Sequence, residues 1–377
     1  MNNNTADEIK ADICTELDRL KPVFVEIADT LHANPELSGQ EAASCGLLKE
    51  VAAQAGFKVK PILAETLPYA FQASYGQGTL NIGFLAEYDA LPDLGHGCGH
   101  NLIAAMSTAA ALACGKVLGS KATIHLFGCP AEETIGGKVF MSEAGCFKNL
   151  DAALICHPSN VTAMGGTSYA THPLRITFLG KPAHVADPDY HGINALDALV
   201  DFYQQLSLLE KSFTQPYILG KIITEGGSAP NIVPARPTIK ATIRSLSTEY
   251  LENHMLPEIK ALARQISEKH GTDLELEHYE PLFKNLVNDA RLNAFMKANI
   301  QSLGITDIKE YPDSYADGST DVGNVSHDAP AIQPEIMIGQ GIAAHTHEFA
   351  VAAGSGYGKE MAFLAAKAMA MTAADLL

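Results

Sequence analysis

The sequence predicts an α/β protein with two domains, one of which has a largely parallel central sheet flanked by helices. Its 377 residues exceed the length of one typical domain. Apolar residues make up 47% of the chain, enough for sizeable hydrophobic cores. Predicted strands alternate with predicted helices in the first half of the sequence. This alternation is typical of parallel sheets, because parallel neighbours need a long crossover connection.

The alternating elements follow an N-terminal helical stretch. Residues 16–57 predict two helices that are separated by a turn at residues 33–35. Apolar runs with the length and composition of buried strands then occur at residues 79–86, 122–127 and 152–156. Helices are predicted between these strands, at residues 102–118 and 137–144. This order is that of a layered α/β domain.

Polar residues that can bind metals follow all three predicted strands. Glu87 and Asp89 come after the first strand, Glu132 and Glu133 after the second, and His157 after the third. Ligands of open α/β sheets bind beyond the carboxyl ends of the strands. The three strand ends therefore predict one shared site.

The glycine-rich segment at residues 95–101 lies between the first strand and the helix that follows it. It contains Cys98 and His100, whose thiolate and imidazole suit Zn²⁺ or a similar transition ion. Glycines also occur in dinucleotide-binding turns, but the spacing here is not G-x-G-x-x-G. A metal site is therefore favoured over a dinucleotide-dependent oxidoreductase.

The adjacent carboxylates of Glu132 and Glu133 suit a hydrolytic metal site, in which one binds the ion and the other takes a proton from water. Two carboxylates at a helix N-terminus are the alternative, because the helix dipole favours negative charge there. His345 lies in a late loop that also offers His347 as a rival ligand. Asp89 and Glu87 are further candidates, since a carboxylate either binds an ion or orients a histidine that does so.

The pattern changes past the third strand, and residues 172–282 predict a second, inserted domain. The predicted order in this segment is strand, helix, strand, strand, helix, strand, as in a ferredoxin-like βαββαβ unit. Helix–strand alternation then resumes, and a long helix is predicted at residues 359–376. Residues 1–171 and 283–377 are therefore predicted to form one discontinuous domain.

Composition narrows the expected partners and compartment. The formal net charge of −17 argues against nucleic acid, since phosphate binding requires a basic surface. The sequence lacks an uninterrupted apolar run of about 18 residues, so no membrane partner is expected. Its polar start lacks the order of a secretory signal, which predicts a cytoplasmic protein. Seven cysteines in such a chain are expected to be free thiols or metal ligands.

Several motifs resemble, in order, those of the metal-dependent amidohydrolase/aminoacylase family that contains carboxypeptidase G, hippurate hydrolase and the auxin-conjugate hydrolases. These motifs are EYDALP (87–92), GHGCGHNL (95–102), GCPAEE (128–133), HP (157–158), GKPAH (180–184), APNIVP (229–234) and GSTD (318–321). The branch with aminobenzoyl-glutamate hydrolase and the aminoacylase-1-like 2 dipeptidase is the most similar. Asn101 and Ile103 depart from the hippurate-hydrolase pattern, and Glu87 stands where more distant carboxypeptidases have a metal-binding histidine.

The resemblance implies that the discontinuous domain is catalytic and holds two divalent ions, Zn²⁺ or Mn²⁺, with Co²⁺ as an alternative. The metal ligands that it implies are Cys98, His100, Glu133, His157 and His345. Glu132 corresponds to the general base, and Asp89 corresponds to the aspartate that supports the first site. In such sites the ions polarise the scissile carbonyl and activate water.

For the inserted domain, the resemblance implies the roles of a lid and of a dimerisation domain. His184 corresponds to a histidine that one subunit offers to the active site of its partner, where it would stabilise the oxyanion. Asn231 and Arg244 correspond to lid residues that bind the carboxylate of the substrate, a task suited to the planar guanidinium. A homodimer is therefore expected.

The sequence thus predicts hydrolysis of an amide bond in N-acyl amino acids, aminobenzoyl-glutamate-like conjugates or dipeptides that carry a free carboxylate. One alternative is a cysteine-dependent amidase that uses Cys98 and His100, whose activity would survive chelation. Another is a non-catalytic relative that binds a metal or a small molecule. That alternative requires the loss of a catalytic residue, whereas Glu132 and His184 are both present.

Overall fold

The computed structural model describes residues 5–186 and 191–377. The chain divides into two compact units, which are described separately. Unit 1 contains the residues up to Thr167, Leu286–Tyr315 and Thr320–Leu377, and unit 2 contains Ser168–Asn285 and Ala316–Ser319. Both units are therefore built from segments that are separated in sequence.

Helices and strands alternate through much of the chain. In chain order, the helices are α1 (Ala6–Ala33), α2 (Ala42–Gln54), α3 (His100–Leu118), α4 (Gly137–Glu143), α5 (Ala195–Leu209), α6 (Thr248–Tyr250), α7 (Leu256–His270), α8 (Ala290–Ser302), α9 (Val322–Ser326), α10 (His347–Gly354) and α11 (Gly356–Ala374). The strands are β1 (Lys58–Pro61), β2 (Phe71–Gly76), β3 (Leu80–Glu87), β4 (Ala122–Cys129), β5 (Ala152–Leu154), β6 (His157–Ser159), β7 (Ala163–Gly165), β8 (Ala170–Leu179), β9 (Tyr217–Glu225), β10 (Thr238–Ser245), β11 (Asp273–His278), β12 (Lys309–Tyr311), β13 (Ala331–Ile332) and β14 (Glu335–Met337).

The main sheet of unit 1 has six strands within the described residues, in the order β1-β2-β4-β3-β5-β13. β3 runs parallel to β4 and β5, and β13 runs parallel to β5. β2 pairs antiparallel with β1 and β4 at one side of the sheet. The three predicted strands are β3, β4 and β5, so the prediction of an α/β fold with a largely parallel central sheet is confirmed.

A smaller sheet of unit 1 receives the chain directly after β5. Its described strands lie in the order β12-β7-β14-β6. The predicted strand at residues 152–156 ends early, at Leu154, because the chain leaves the main sheet there. His157 is the first residue of β6 and lies opposite Glu335 of β14. His157 therefore starts a strand of the smaller sheet instead of following a strand of the main one.

Helix α3 is buried on nearly all sides in the core of unit 1. Its length and composition alone would allow it to cross a membrane, but 89% of its apolar window is buried inside the protein, as in core helices of folded domains. α3 begins at His100, two residues before the predicted start, and this places His100 in the first helical turn.

Helix α1 starts ten residues before the predicted helical stretch. Thr5 caps it: its side chain accepts a hydrogen bond from the backbone N–H of Glu8, and the Glu8 carboxylate accepts one from the N–H of Thr5. Such a capping box satisfies two backbone donors that would otherwise lack partners. Apolar residues spaced at helical intervals then bury one face of α1 in the core.

Unit 2 is an antiparallel sheet with helices α5 and α7. Its described strands lie in the order β11-β8-β10-β9, and the chain passes through β8, α5, β9, β10, α6–α7 and β11 in turn. The two helices present Phe202 and Ile259 to a hydrophobic core that also contains Phe178 and Ile243 of the sheet. This core is distinct from that of unit 1.

Candidate metal centre

The candidate site of unit 1 starts from the carboxyl ends of two parallel strands. Glu87 is the last residue of β3, and Asp89 follows shortly after it. Glu132 and Glu133 follow β4 after a short turn. Because Glu87 lies opposite Cys129, the last residue of β4, all four carboxylates follow strands that end at the same sheet edge.

The turn before α3 brings Cys98 and His100 to this edge. Gly99 between them has a φ of 79°, in the left-handed region that favours glycine. A Cβ atom at Gly99 would lie 2.9 Å from Cγ of Pro158 and 3.3 Å from Cε1 of Phe349. Both the backbone conformation and the close approach of these neighbours therefore require glycine.

Within the described residues, several side chains bring possible metal-ligand atoms within 4.8 Å of one another. They form the groups Cys98–His100–His157, Cys98–Glu133–His345 and His100–Glu132–Glu133. Sγ of Cys98 lies 3.5 Å from Nε2 of His157, and Nε2 of His345 lies 3.5 Å from Oε2 of Glu133. The five ligands predicted from the sequence thus lie in one cluster.

His100 is oriented by a carboxylate on one of its ring nitrogens. Its Nδ1 lies 3.0 Å from Oδ1 of Asp89. The other nitrogen, Nε2, is buried without a hydrogen-bond partner, 3.5 Å from Oε2 of Glu87 and 3.7 Å from Oε1 of Glu133. Burial lowers the pKa of His100, but the charges of Cys98 and Asp89 outweigh burial and raise it well above its usual value. Surroundings that attract a proton to Nε2 also suit a metal cation.

His157 presents its Nε2 to the cluster in a similar way. Its Nδ1–H donates a hydrogen bond of 2.7 Å to the carbonyl oxygen of Pro158, which leaves the lone pair on Nε2. Burial lowers the pKa of His157, and this favours the neutral ring. A neutral imidazole with its lone pair on Nε2 is the form that binds metals.

Asp89 connects several parts of the site. Its Oδ2 accepts hydrogen bonds from the Ser38 hydroxyl at 2.6 Å and from the backbone N–H of Glu133 at 3.0 Å. Burial raises its pKa, but the charge and hydrogen bond of His100 outweigh burial and lower it. Asp89 therefore stays ionised and positions both His100 and Glu133.

Glu132 lies in a group with His100 and Glu133. Burial, followed by the charges of Asp321 and Glu87, raises the pKa of Glu132 well above its usual value. A carboxylate with a raised pKa is a stronger proton acceptor, as general base catalysis requires.

His345 reaches the cluster from a loop with unusual backbone geometry. Its φ is 63°, and its backbone N–H donates to the carbonyl oxygen of Gly97 at 2.9 Å. Its side chain is 54% exposed. The rival ligand His347 begins α10, and the groups found among the described residues contain His345 rather than His347.

A buried lysine beside the cluster was not predicted from the sequence. Nζ of Lys138 lies 2.7 Å from Oε1 of Glu87 and pairs also with Oδ1 of Asp321. The backbone N–H of Lys138 donates to Oδ2 of Asp321 at 2.8 Å. All three side chains are at most 1% exposed. The sequence contains one indication of this buried lysine: it lies in the otherwise apolar first turn of α4, close after Glu133.

The predicted substrate-binding residues belong to unit 2. Nδ2 of Asn231 lies 3.3 Å from Nε2 of His184, so these two side chains are neighbours. Arg244, on β10, donates from Nη1 to the Ser319 hydroxyl at 3.3 Å. Ser319 also bonds to the Thr171 hydroxyl at 2.8 Å. Unit 2 thus pairs His184 with Asn231 and holds Arg244 through Ser319.

Comparisons of the sequence with known proteins identify relatives over most of the chain. Peptidase family M20/M25/M40 matches residues 83–366. The chain is 36% identical to the Xaa-Arg dipeptidase of Mus musculus over 326 residues, which cover 82% of this chain and 75% of that protein. It is 32% identical to a chain of the p-aminobenzoyl-glutamate hydrolase of Escherichia coli over 314 residues, 76% of this chain and 63% of that protein.

Solved structures show the same fold. A dinuclear metal-binding peptidase of the M20 family from Bacillus subtilis matches with a TM-score of 0.71 and 17% sequence identity, covering 96% of this chain and 99% of that chain. An aminobenzoyl-glutamate utilization protein from Klebsiella pneumoniae matches with a TM-score of 0.70 and 16% identity, covering 96% and 98%. The family match and the curated relatives together show that the chain belongs to peptidase family M20/M25/M40 and is a hydrolase of that family.

Proposed function

We propose that unit 1 carries a dinuclear metal centre and that the protein hydrolyses an amide bond next to an amino acid with a free carboxylate. The clustering of possible ligand atoms within 4.8 Å carries this proposal. Nε2 of His100 fits an ion especially well, because it is buried, lacks a hydrogen-bond partner and faces two carboxylates.

The groups of side chains support an assignment of ligands to each ion. One ion would take Cys98, His100 and His157, and the other would take Cys98, Glu133 and His345. Cys98 is common to these two groups, and the third group, His100–Glu132–Glu133, links a residue of each. A set of sulfur, nitrogen and oxygen donors favours Zn²⁺, with Mn²⁺ or Co²⁺ as alternatives.

Two divalent ions bound there would polarise the scissile carbonyl and lower the pKa of water. Glu132 adjoins the proposed ligand Glu133 and would accept a proton from water as the general base. It then delivers the proton to the leaving nitrogen, as a carboxyl group with a raised pKa can do. Asp89 keeps His100 in the orientation that presents Nε2.

We assign unit 2 the role of a ferredoxin-like lid. The order of its elements and of its antiparallel strands supports this assignment. Its neighbouring residues His184 and Asn231 would contact the substrate, with His184 donating to the oxyanion. Arg244 would bind the carboxylate of the substrate, since its planar guanidinium suits that group.

Unit 2 also offers a surface that supports a homodimer. Its edge strand β9 exposes Ile218 at 47%, Ile222 at 62% and Ile223 at 45%, and α5 exposes Leu208 at 58%. Apolar side chains on an edge strand favour pairing with another chain. We propose that a second copy covers this surface and that its His184 completes the active site.

The cysteine-dependent amidase fits the site less well. Burial raises the pKa of Cys98 to about 12, whereas a nucleophilic cysteine needs a lowered pKa.

All seven cysteines are free thiols, which supports the cytoplasm as the compartment.

The substitution Glu132→Gln tests the proposed base. We expect turnover to fall by roughly 10²- to 10⁴-fold while the protein still binds two ions per subunit, measured by elemental analysis. Glu143→Gln, which changes an exposed carboxylate of α4, is the control and is expected to keep full activity. Substantial turnover by Glu132→Gln would remove Glu132 from this role.

Substrate, metal and subunit exchange can be tested in one series of assays. Dipeptides that end in arginine, aminobenzoyl-glutamate and N-acetyl amino acids would be assayed after chelation, with Zn²⁺ or Mn²⁺ returned. Activity that survives chelation would favour the cysteine mechanism.

Mixed dimers of Glu132→Gln and His184→Ala subunits are expected to regain partial activity. Absence of recovery would place His184 in the active site of its own subunit.

A further inference from the structure

The buried ammonium of Lys138 adjoins the metal centre, but the proposed mechanism assigns it no role. It pairs with Glu87 and Asp321, and all three side chains are shielded from solvent. Buried ion clusters are costly, and apolar side chains of similar volume often stabilise a core at least as well. A cluster of this kind beside a functional site therefore calls for a role beyond stability.

The two oxygens of Glu87 have different neighbours. Oε1 lies 2.7 Å from Nζ of Lys138. Oε2 lies 3.5 Å from Nε2 of His100, and neither oxygen has a hydrogen-bond partner of good geometry. Because Asp89 occupies Nδ1 of His100, Nε2 is the ring nitrogen available to an ion.

The separation between Oε2 of Glu87 and Nε2 of His100 matches that of two ligands on one ion. Bonds of about 2.0–2.2 Å at a tetrahedral angle place neighbouring ligand atoms roughly 3.3–3.5 Å apart. A carboxylate rotates easily about its last torsion, so this placement requires something to hold it. Lys138 does so through its ion pair with the opposite oxygen.

Resting on the dinuclear centre proposed above, we propose that Glu87 is a further contact of the ion held by His100, and that Lys138 is the residue that positions it. Asp321 anchors Lys138 through both its backbone N–H and its ammonium group. Neither Glu87 nor Lys138 belongs to the group of Cys98, Glu133 and His345 that would hold the other ion.

The test compares two variants with a matched control. Lys138→Met removes the ammonium and keeps a similar volume. Glu87→Gln removes the charge of the ligand oxygen but keeps an amide oxygen for Lys138, which protects folding. Lys10→Met is the control, because Lys10 forms an ion pair of 2.6 Å with Asp375 apart from the proposed ligands.

Metal affinity is measured by competition with a chelator, and coordination by the absorption spectrum of the Co²⁺-loaded protein. We expect both variants to bind one of the two ions roughly 10- to 100-fold more weakly, with a changed Co²⁺ spectrum for that ion. The other ion and the control variant are expected to behave as in the wild type.

Two results would overturn the inference. One is that both variants keep wild-type affinity for both ions and an unchanged Co²⁺ spectrum. Lys138 would then have only a structural role, even if the variants melt at lower temperature. The other is that both variants lose affinity for the two ions to the same extent. A wild-type protein that fails to bind two ions would instead contradict the proposed dinuclear centre.

Discussion

The substitution Asp89→Asn tests how the proposed metal centre orients His100. Oδ2 of Asp89 accepts two hydrogen bonds, from the Ser38 hydroxyl and from the N–H of Glu133. In the variant, the amide oxygen is expected to take the position of Oδ2, because an NH₂ group at that position would face two donors. The NH₂ group then faces Nδ1 of His100, which must accept, and the proton moves to Nε2.

The protonated Nε2 no longer offers a lone pair to an ion. Loss of such an outer partner lowers metal affinity roughly 10- to 100-fold, which corresponds to about 1.4–2.7 kcal/mol. The affinity of each ion is measured by competition with a chelator. Ser38→Ala serves as the control, because it removes one donor to Asp89 and leaves the tautomer of His100 unchanged. Wild-type affinity in Asp89→Asn, or an equal loss in both variants, would refute the tautomer argument.

Two further substitutions test the backbone and a buried carboxylate. Gly99→Ala is expected to lower the melting temperature more than Gly271→Ala, since both glycines have positive φ but only the first Cβ meets Pro158. Glu41 is buried, accepts an N–H bond from Gly39 at 2.9 Å and has its other oxygen unpaired, and burial raises its pKa to about 7. The folded state then binds more protons than the unfolded state between pH 4.5 and about 7, so this group lowers the free energy of unfolding as pH rises. The free energy of unfolding, measured by urea denaturation, is expected to fall by about 1–3 kcal/mol less between pH 5 and pH 8 in Glu41→Gln than in the wild type. An equal fall in both proteins would show that Glu41 does not cause this pH dependence.

Much of the site was predictable because its residues follow regular strands. Parallel strands end at one edge of a sheet, so apolar runs that are followed by Glu87, Asp89, Glu132 and Glu133 predict a shared position without long-range information. His157 was predicted near this edge as well. The sequence placed His157 after a strand of the main sheet, whereas it starts a strand of the smaller sheet. Short apolar runs do not reveal where a chain passes from one sheet to another.

Other features depend on contacts that local patterns do not contain. The pairing of Lys138 with Asp321 joins residues that lie 183 positions apart. A lysine near a helix start normally indicates a solvated surface, and only the tertiary fold buries this one between carboxylates. The start of α1 was predictable in principle, because Thr5 and Glu8 have the spacing of a capping box.

Two loops that carry proposed site residues contain strained backbone conformations. Ala131, which precedes Glu132, has a φ of 61°, and His345 has a φ of 63°. Such conformations cost non-glycine residues roughly 1–2 kcal/mol each, so other interactions must hold them. The carbonyl oxygen of Ala131 accepts the N–H of Gly136 at 2.7 Å, and the N–H of His345 donates to Gly97. These hydrogen bonds within the protein therefore hold Ala131 and His345 in conformations that neither residue favours by itself.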